Sequence, residues 1–190
     1  MLLRGTGLAR ERVAHVRGFA PIADTRATVL ILGSMPGQAS LRVGQYYAHP
    51  RNAFWPILGA LVGAGPALPY DSRIRALRAA RLALWDVLAS CVRESSLDAD
   101  IEPDSVTPND FVAFFAKHPK ITRVCFNGRM AEQCYRRHVR SGFTRTPLTY
   151  LLPSTSPANA SWSYARKLSA WHAVVRQDGH ATSFTAEPES

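Results

Sequence analysis

The chain is poor in cysteine, in lysine and in long apolar runs, and each shortage removes a class of protein. Three cysteines in 190 residues, Cys91, Cys125 and Cys134, are odd in number, widely spaced and form no CxxC pair. That argues against a disulfide framework, a structural zinc and a four-cysteine iron–sulfur cluster, and makes buried thiols the expectation. No window approaches the ~18 apolar residues of a membrane span. After Met1-Leu2-Leu3 the chain turns at once to Arg4, Gly5, Arg10, Glu11 and Arg12, so no apolar core of a secretory signal is visible. A cytoplasmic protein is expected. Neither a Gly-Lys-Ser/Thr phosphate loop nor a GxGxxG fingerprint occurs, which leaves nucleotide-triphosphate and NAD chemistry without their usual support.

What is present describes one folded domain with a basic surface. Hydrophobic residues make up 46% and charged residues 19%, too apolar a balance for a disordered chain, and the length suits a single core. The net charge is +9, from 23 Lys+Arg against 14 Asp+Glu, and only Lys117, Lys120 and Lys167 are lysines. Arginine suits bidentate phosphate contact, although Arg usage also follows genome base composition, and both explanations stand. A polyanionic partner is the leading expectation, with a merely solvated basic surface as the alternative.

Residues 1–26 are Arg- and Gly-rich without a period and read as an irregular arm. Residues 27–32 form a short apolar, β-branched run that stops at Gly33-Ser34-Met35-Pro36-Gly37, the pattern of a buried strand ending in a sharp loop. Helices are predicted over 54–62 and 71–80, a strand over 82–88, and a helix to Lys117 opened by Thr107 as cap with Pro108 in its first turn. Phe111, Phe114 and Phe115 are its core positions. A strand over 121–126, a helix over 129–140, a strand over 148–152 and a helix over 161–175 follow, and 177–190 is a polar tail. Strands alternating with helices imply an α/β three-layer sandwich, residues 27–176, around a central, mainly parallel four-stranded sheet. Its site should lie in the loops after Leu32, Leu88, Phe126 and Leu152.

Two of those loops carry chemistry. Gly33 and Gly37 allow close backbone approach to a ligand, and the backbone N–H groups of the turn from Ser34 to Gly37, Pro36 excepted, can face an unprotonated oxygen. Ser40 and then Tyr46-Tyr47-Ala48-His49-Pro50-Arg51-Asn52-Ala53-Phe54-Trp55 follow, where four aromatics mix with His, Arg and Asn. Such a mixture can stack a base while polar groups read its edge, though a core patch with one exposed rim looks similar. The second loop, Pro153-Ser154-Thr155-Ser156-Pro157-Ala158-Asn159, sets hydroxyls and amides in a Pro-bracketed turn suited to uncharged phosphate contact, or to an ordinary turn before a helix.

In this order, on these strands, the two segments resemble the uracil-DNA glycosylase superfamily, closest to its hypoxanthine-DNA (deoxyinosine) glycosylase branch. The resemblance spans about residues 27–175 and implies an enzyme of base excision repair that flips a deaminated base out of DNA and hydrolyses its N-glycosidic bond. Hypoxanthine is the first expectation and uracil the second. Many relatives carry Asp or Asn before the loop's Pro; here Met35 stands there, and a thioether cannot handle water. The resemblance transfers the catalytic amide to Asn52, which can orient water without acting as a true base, with His49 as the alternative proton handler because imidazole titrates near neutrality.

The loop of Gly33, Ser34, Met35, Pro36 and Gly37 is placed to bind the base, Tyr47 and Phe54 are candidates to stack on it, and by position Asp86 could accept from its edge and Asn127 meet its edge or a phosphate. A cap role for Asp86 and Asn127 is the alternative. Ser40, Arg51, Arg129, Ser154, Thr155, Ser156, Pro157 and Asn159 would touch DNA. No metal or cofactor is called for, and no lysine lies in the motif loops for Schiff-base lyase chemistry. The expected partner is DNA containing a deaminated base, met by a monomer at the nucleoid. A uracil or mismatch-specific thymine glycosylase, a catalytically silent nucleic-acid-binding module on the same fold and a nucleoside hydrolase remain open. The charge would recruit DNA in a salt-sensitive way while neutral groups select the base.

Overall fold

The computed structural model describes residues 15–139 and 146–175. Four apolar runs build the central sheet: β2 (Val29–Gly33), β3 (Leu82–Asp86), β6 (Arg123–Asn127) and β7 (Leu148–Leu152). They lie in the order β3-β2-β6-β7, and every pair is parallel. Side chains along a strand alternate between faces, and β2 divides accordingly. Val29 and Ile31 pack with Phe54, Ile57, Leu58, Leu77 and Trp171, whereas Leu30 and Leu32 pack with Phe111, Phe114, Val124 and Ala131. Burial on both faces is why the central strands read as unbroken apolar runs.

Helices α2 (Phe54–Val62), α3 (Tyr70–Ala79) and α6 (Tyr164–Val175) cover the first face, and α4 (Phe111–Lys117) with α5 (Arg129–His138) cover the second. The expected α/β sandwich is therefore present, and its sheet is wholly parallel. Helix α2 ends where Gly63 adopts φ +75°, a left-handed conformation that favours glycine.

Several local expectations are corrected. The apolar run 82–88 is not one strand: β3 stops at Asp86, the Val87 N–H donates to the Gly33 carbonyl at 2.9 Å, and β4 (Leu88–Val92) leaves the main sheet. It pairs antiparallel with β1 (His15–Arg17) on one side and β5 (Thr107–Pro108) on the other, forming a second, three-stranded sheet. Residues 15–17 of the supposed irregular arm are thus strand, and Ile22 bridges Leu84. Thr107 and Pro108 belong to β5, so neither opens α4; Asp110 caps it by accepting from the Ala113 N–H at 2.9 Å. A short helix, α1 (Gln38–Val43), follows the glycine loop where none was predicted. Residues 1–14, Arg140 and the 177–190 tail lie outside the described residues.

Candidate active site

The loops at the carboxyl ends of the parallel strands meet one another through hydrogen bonds. The Ala53 N–H donates to the Thr155 carbonyl at 3.0 Å, and the Gly128 N–H to the Leu152 carbonyl at 3.0 Å. Asn127 and Thr155 are joined twice, Asn127 Nδ2 to Thr155 Oγ1 at 2.9 Å and the Thr155 N–H to Asn127 Oδ1 at 2.8 Å. The segments that carried the resemblance, far apart in sequence, therefore share one locus.

At its floor lies Gly33. A Cβ added there would stand 2.4 Å from Asp86 Oδ1 and 3.0 Å from the Tyr47 hydroxyl, so only glycine lets both side chains close over the same point. Asp86 is 3% exposed; its Oδ2 and the Tyr47 hydroxyl are both buried without a hydrogen-bond partner. Burial, reinforced by the neighbouring Asp98 and opposed by Arg93, pushes the Asp86 carboxyl up to about 8. Burial likewise drives the Tyr47 phenol well above its ordinary value. Near neutral pH both are neutral hydroxyl donors. Asp86 was expected to accept from a base edge or to cap a helix; a protonated carboxyl carries one O–H donor as well as acceptor capacity.

Tyr47 is only partly exposed and adopts φ +53°, a strained conformation for a side chain of its size. Its neighbour fixes it: the Tyr46 N–H donates to the Tyr70 hydroxyl at 2.9 Å, and Trp55 Nε1 donates to the Tyr46 carbonyl at 2.8 Å. Phe54 has no exposed surface and does not itself face a base. Its ring stacks on Tyr47, centroids 4.0 Å apart, and backs the tyrosine from within the core.

In the loop, the carbonyls of Gly33, Ser34 and Gly37 accept backbone bonds from Val87, Leu88 and Leu41. The N–H groups of Ser34, Met35 and Gly37 have no backbone acceptor among the described residues. Met35 is 6% exposed and packs in the core beside Trp85 and Leu88. Pro36 is buried as well.

Asn52 and His49 stand together. Asn52 Oδ1 accepts from the Phe54 N–H at 2.9 Å, His49 Nδ1 accepts from the Arg51 N–H at 3.2 Å, and the Asn52 N–H donates to the His49 carbonyl at 2.9 Å. Both side chains are partly exposed. Asn52 thus has a fixed carbonyl oxygen and an amide nitrogen with no acceptor among the described residues. His49, accepting at Nδ1, carries its proton on Nε2 when neutral.

The expected DNA contacts divide by exposure. Arg51, Arg129 and Pro157 are exposed, and Ser154, Ser156 and Asn159 partly so. Thr155 is 1% exposed and Ser40 5%, both covered by the protein itself. Thr155 locks Asn127, and Ser40 Oγ accepts from the Ala48 N–H at 3.1 Å. Asn127 does not cap α5; Gly128 holds that position at φ +97°, where a Cβ would meet Ser154 at 2.8 Å. Asn159 Nδ2 donates to the Ser154 carbonyl at 3.1 Å, and buried Lys167 donates to the Asn159 carbonyl at 2.9 Å.

Arg93, Ser96 and Asp98 went unnoticed in the sequence, because a charged stretch after an apolar run reads as surface. They grip the glycine loop. Arg93 Nη2 donates to the Pro36 carbonyl, Ser34 Oγ donates to Asp98 Oδ1 at 2.7 Å, and the Gln38 N–H donates to Ser96 Oγ at 2.9 Å.

All three cysteines are buried free thiols. Among the described residues no group of three or more His, Cys, Asp and Glu side chains could hold a metal ion, and no helix is long and apolar enough to cross a membrane.

Comparison with known proteins matches residues 20–178 to the model of the uracil DNA glycosylase superfamily. Two curated relatives are both named hypoxanthine DNA glycosylase. One, from Methanosarcina acetivorans, is 38% identical over 162 residues, covering 84% of this chain and 98% of the relative. The other, from Methanosarcina barkeri, is 36% identical over 157 residues, covering 82% and 94%. A solution NMR structure from Methanosarcina acetivorans, described as a candidate uracil DNA glycosylase, aligns with a TM-score of 0.69 at 36% identity and covers 86% of this chain and 98% of that one.

Proposed function

The chain belongs to the uracil DNA glycosylase superfamily, and we propose that it hydrolyses the N-glycosidic bond of deaminated bases in DNA, hypoxanthine first and uracil second, in base excision repair. The observation that carries the reading is the pair of buried, unpartnered hydroxyl groups, Asp86 and Tyr47, closing over Gly33 at the carboxyl end of the parallel sheet. A 6-oxopurine presents O6 and N7, both acceptors, so neutral Asp86 suits hypoxanthine. The names of the two relatives point the same way.

Cleavage passes through an oxocarbenium-like sugar while negative charge gathers on the departing base. The free N–H groups of Ser34, Met35 and Gly37 supply donors to that base, and Tyr47, backed by Phe54, supplies a ring face. Asn52 takes the water-orienting role that Met35 cannot fill: its fixed Oδ1 has a second lone pair to accept from water, and His49 offers its Nε2–H as a donor beside it. Arg51, Arg129 and the partly exposed 154–159 loop hold the flanking phosphates. The protein acts as a monomer on nucleoid DNA and leaves an abasic site without cutting the strand.

The test is single-turnover release of free base from a duplex carrying one deoxyinosine, followed by alkaline cleavage at the abasic site. Release of hypoxanthine, with slower release of uracil from the matching duplex, supports the reading. Binding without release of either base favours a silent module, and hydrolysis of free inosine but not of DNA favours a nucleoside hydrolase.

A further inference from the structure

We propose that Arg93 is a positioning residue for glycosidic-bond cleavage, holding the 34–37 segment through the Pro36 carbonyl with a buried charge that stands in no ion pair among the described residues. The inference rests on the reading above, in which this segment faces a base that departs as an anion.

Arg93 is 1% exposed. Nη2 donates to the Pro36 carbonyl, while Nε and Nη1 are sealed from solvent with no hydrogen-bond partner. The ion pairs among the described residues are Arg26–Asp24 and Arg136–Glu132, and Arg93 belongs to neither. The acids within its electrostatic reach are Asp86 and Asp98. Neither forms an ion pair with it among the described residues, and Asp98 is engaged by Ser34.

A buried charge held in no ion pair costs several kcal/mol of desolvation. The fold has little use for this guanidinium, since the loop is also tied by Ser34 to Asp98, by Gln38 to Ser96 and by Gln38 Nε2 to the Glu94 carbonyl at 3.1 Å. The reaction does have a use for it. As the C1′–N bond breaks, its electron pair passes to the base; water supplies hydroxide to C1′ and its proton ends on the base. A fixed positive charge behind the loop favours the anionic stage. A charged donor on the Pro36 carbonyl also polarises that peptide, making the Gly37 N–H a stronger donor.

The experiment compares wild type, R93M and R93K, as full chains, in thermal unfolding, in affinity for substrate DNA and in single-turnover rates on duplexes carrying hypoxanthine, uracil or 5-fluorouracil. R93M is expected to melt at or above the wild-type temperature and to bind DNA within about threefold. It should release hypoxanthine and uracil on the order of 10²-fold more slowly. Its loss on 5-fluorouracil should be distinctly smaller, because that base forms the more stable anion. R93K should recover most of the rate. An unchanged R93M rate, an equal loss on all three bases, or an R93M that fails to fold or melts well below wild type would overturn the proposal. A wild-type protein that releases none of the three bases would instead overturn the functional reading beneath it.

Discussion

Asp86→Asn should stabilise this protein at neutral and alkaline pH and leave it unchanged in acid. Burial raises the Asp86 carboxyl from 3.8 to about 8, so between those values the folded protein keeps a proton that the unfolded chain has released. Each unit of pH through that window lowers folding stability by about 1.36 kcal/mol. By pH 7 the penalty relative to a side chain that never ionises reaches about 4 kcal/mol, and above about pH 8, where both states are ionised, the slope ends. With the side chain 3% exposed, solvent screening removes little of this. Asparagine keeps the shape and a donor and carries no charge at any pH. The assay is urea unfolding of both proteins at intervals between about pH 4 and about pH 9, with the stability difference plotted against pH. The difference should start near zero, approach about 4 kcal/mol at pH 7 and level off above about 8. A difference flat in pH, or a variant less stable throughout, would refute the assignment of Asp86 as a buried neutral acid.

Three further outcomes follow from the same geometry. Hypoxanthine release by the wild type should fall above about pH 8 as Asp86 loses its proton, and the Asn variant should lack that alkaline limb; identical pH–rate profiles would remove Asp86 from the chemistry. Asn52→Ala should slow single-turnover release by on the order of 10²-fold while DNA affinity stays within about threefold, and an unchanged rate would move water handling to His49. Gly33→Ala places a methyl group 2.4 Å from Asp86 Oδ1 and 3.0 Å from the Tyr47 hydroxyl, which should cost about 1–3 kcal/mol of stability in urea unfolding. Full stability of that variant would show that the two side chains do not close over Gly33 as described.

Much of this arrangement was legible in the sequence, for identifiable reasons. Strands buried on both faces must be continuous apolar runs, so β2 and β3 stood out, and α2 and the edge strand β7 span the residues expected of them. The small antiparallel sheet was hidden because β4 continues the apolar run of β3, with nothing in residue type to mark the turn at Val87. Thr107-Pro108 carries helix-start chemistry, yet pairing with β4 claims it and leaves Asp110 to cap. Aromatic pattern placed Tyr47 and Phe54 together but could not say which lies in front. Composition marked arginine as a surface recruiter of DNA. One of them, Arg93, is instead sealed inside, and Arg73 lies over the Trp55 and Tyr70 rings, 5.1 and 5.4 Å from their centroids. Asp86 was found by its position at a strand end, but its protonation state depends on burial, which only the folded chain reveals.

The most direct test of the account is the base released from otherwise identical duplexes, one carrying deoxyinosine and one deoxyuridine, by the purified full-length protein in a single turnover. The account predicts free hypoxanthine as the faster product, uracil as the slower one, and abasic strands that break only on alkaline treatment. Tight binding to both duplexes with neither base released would contradict it.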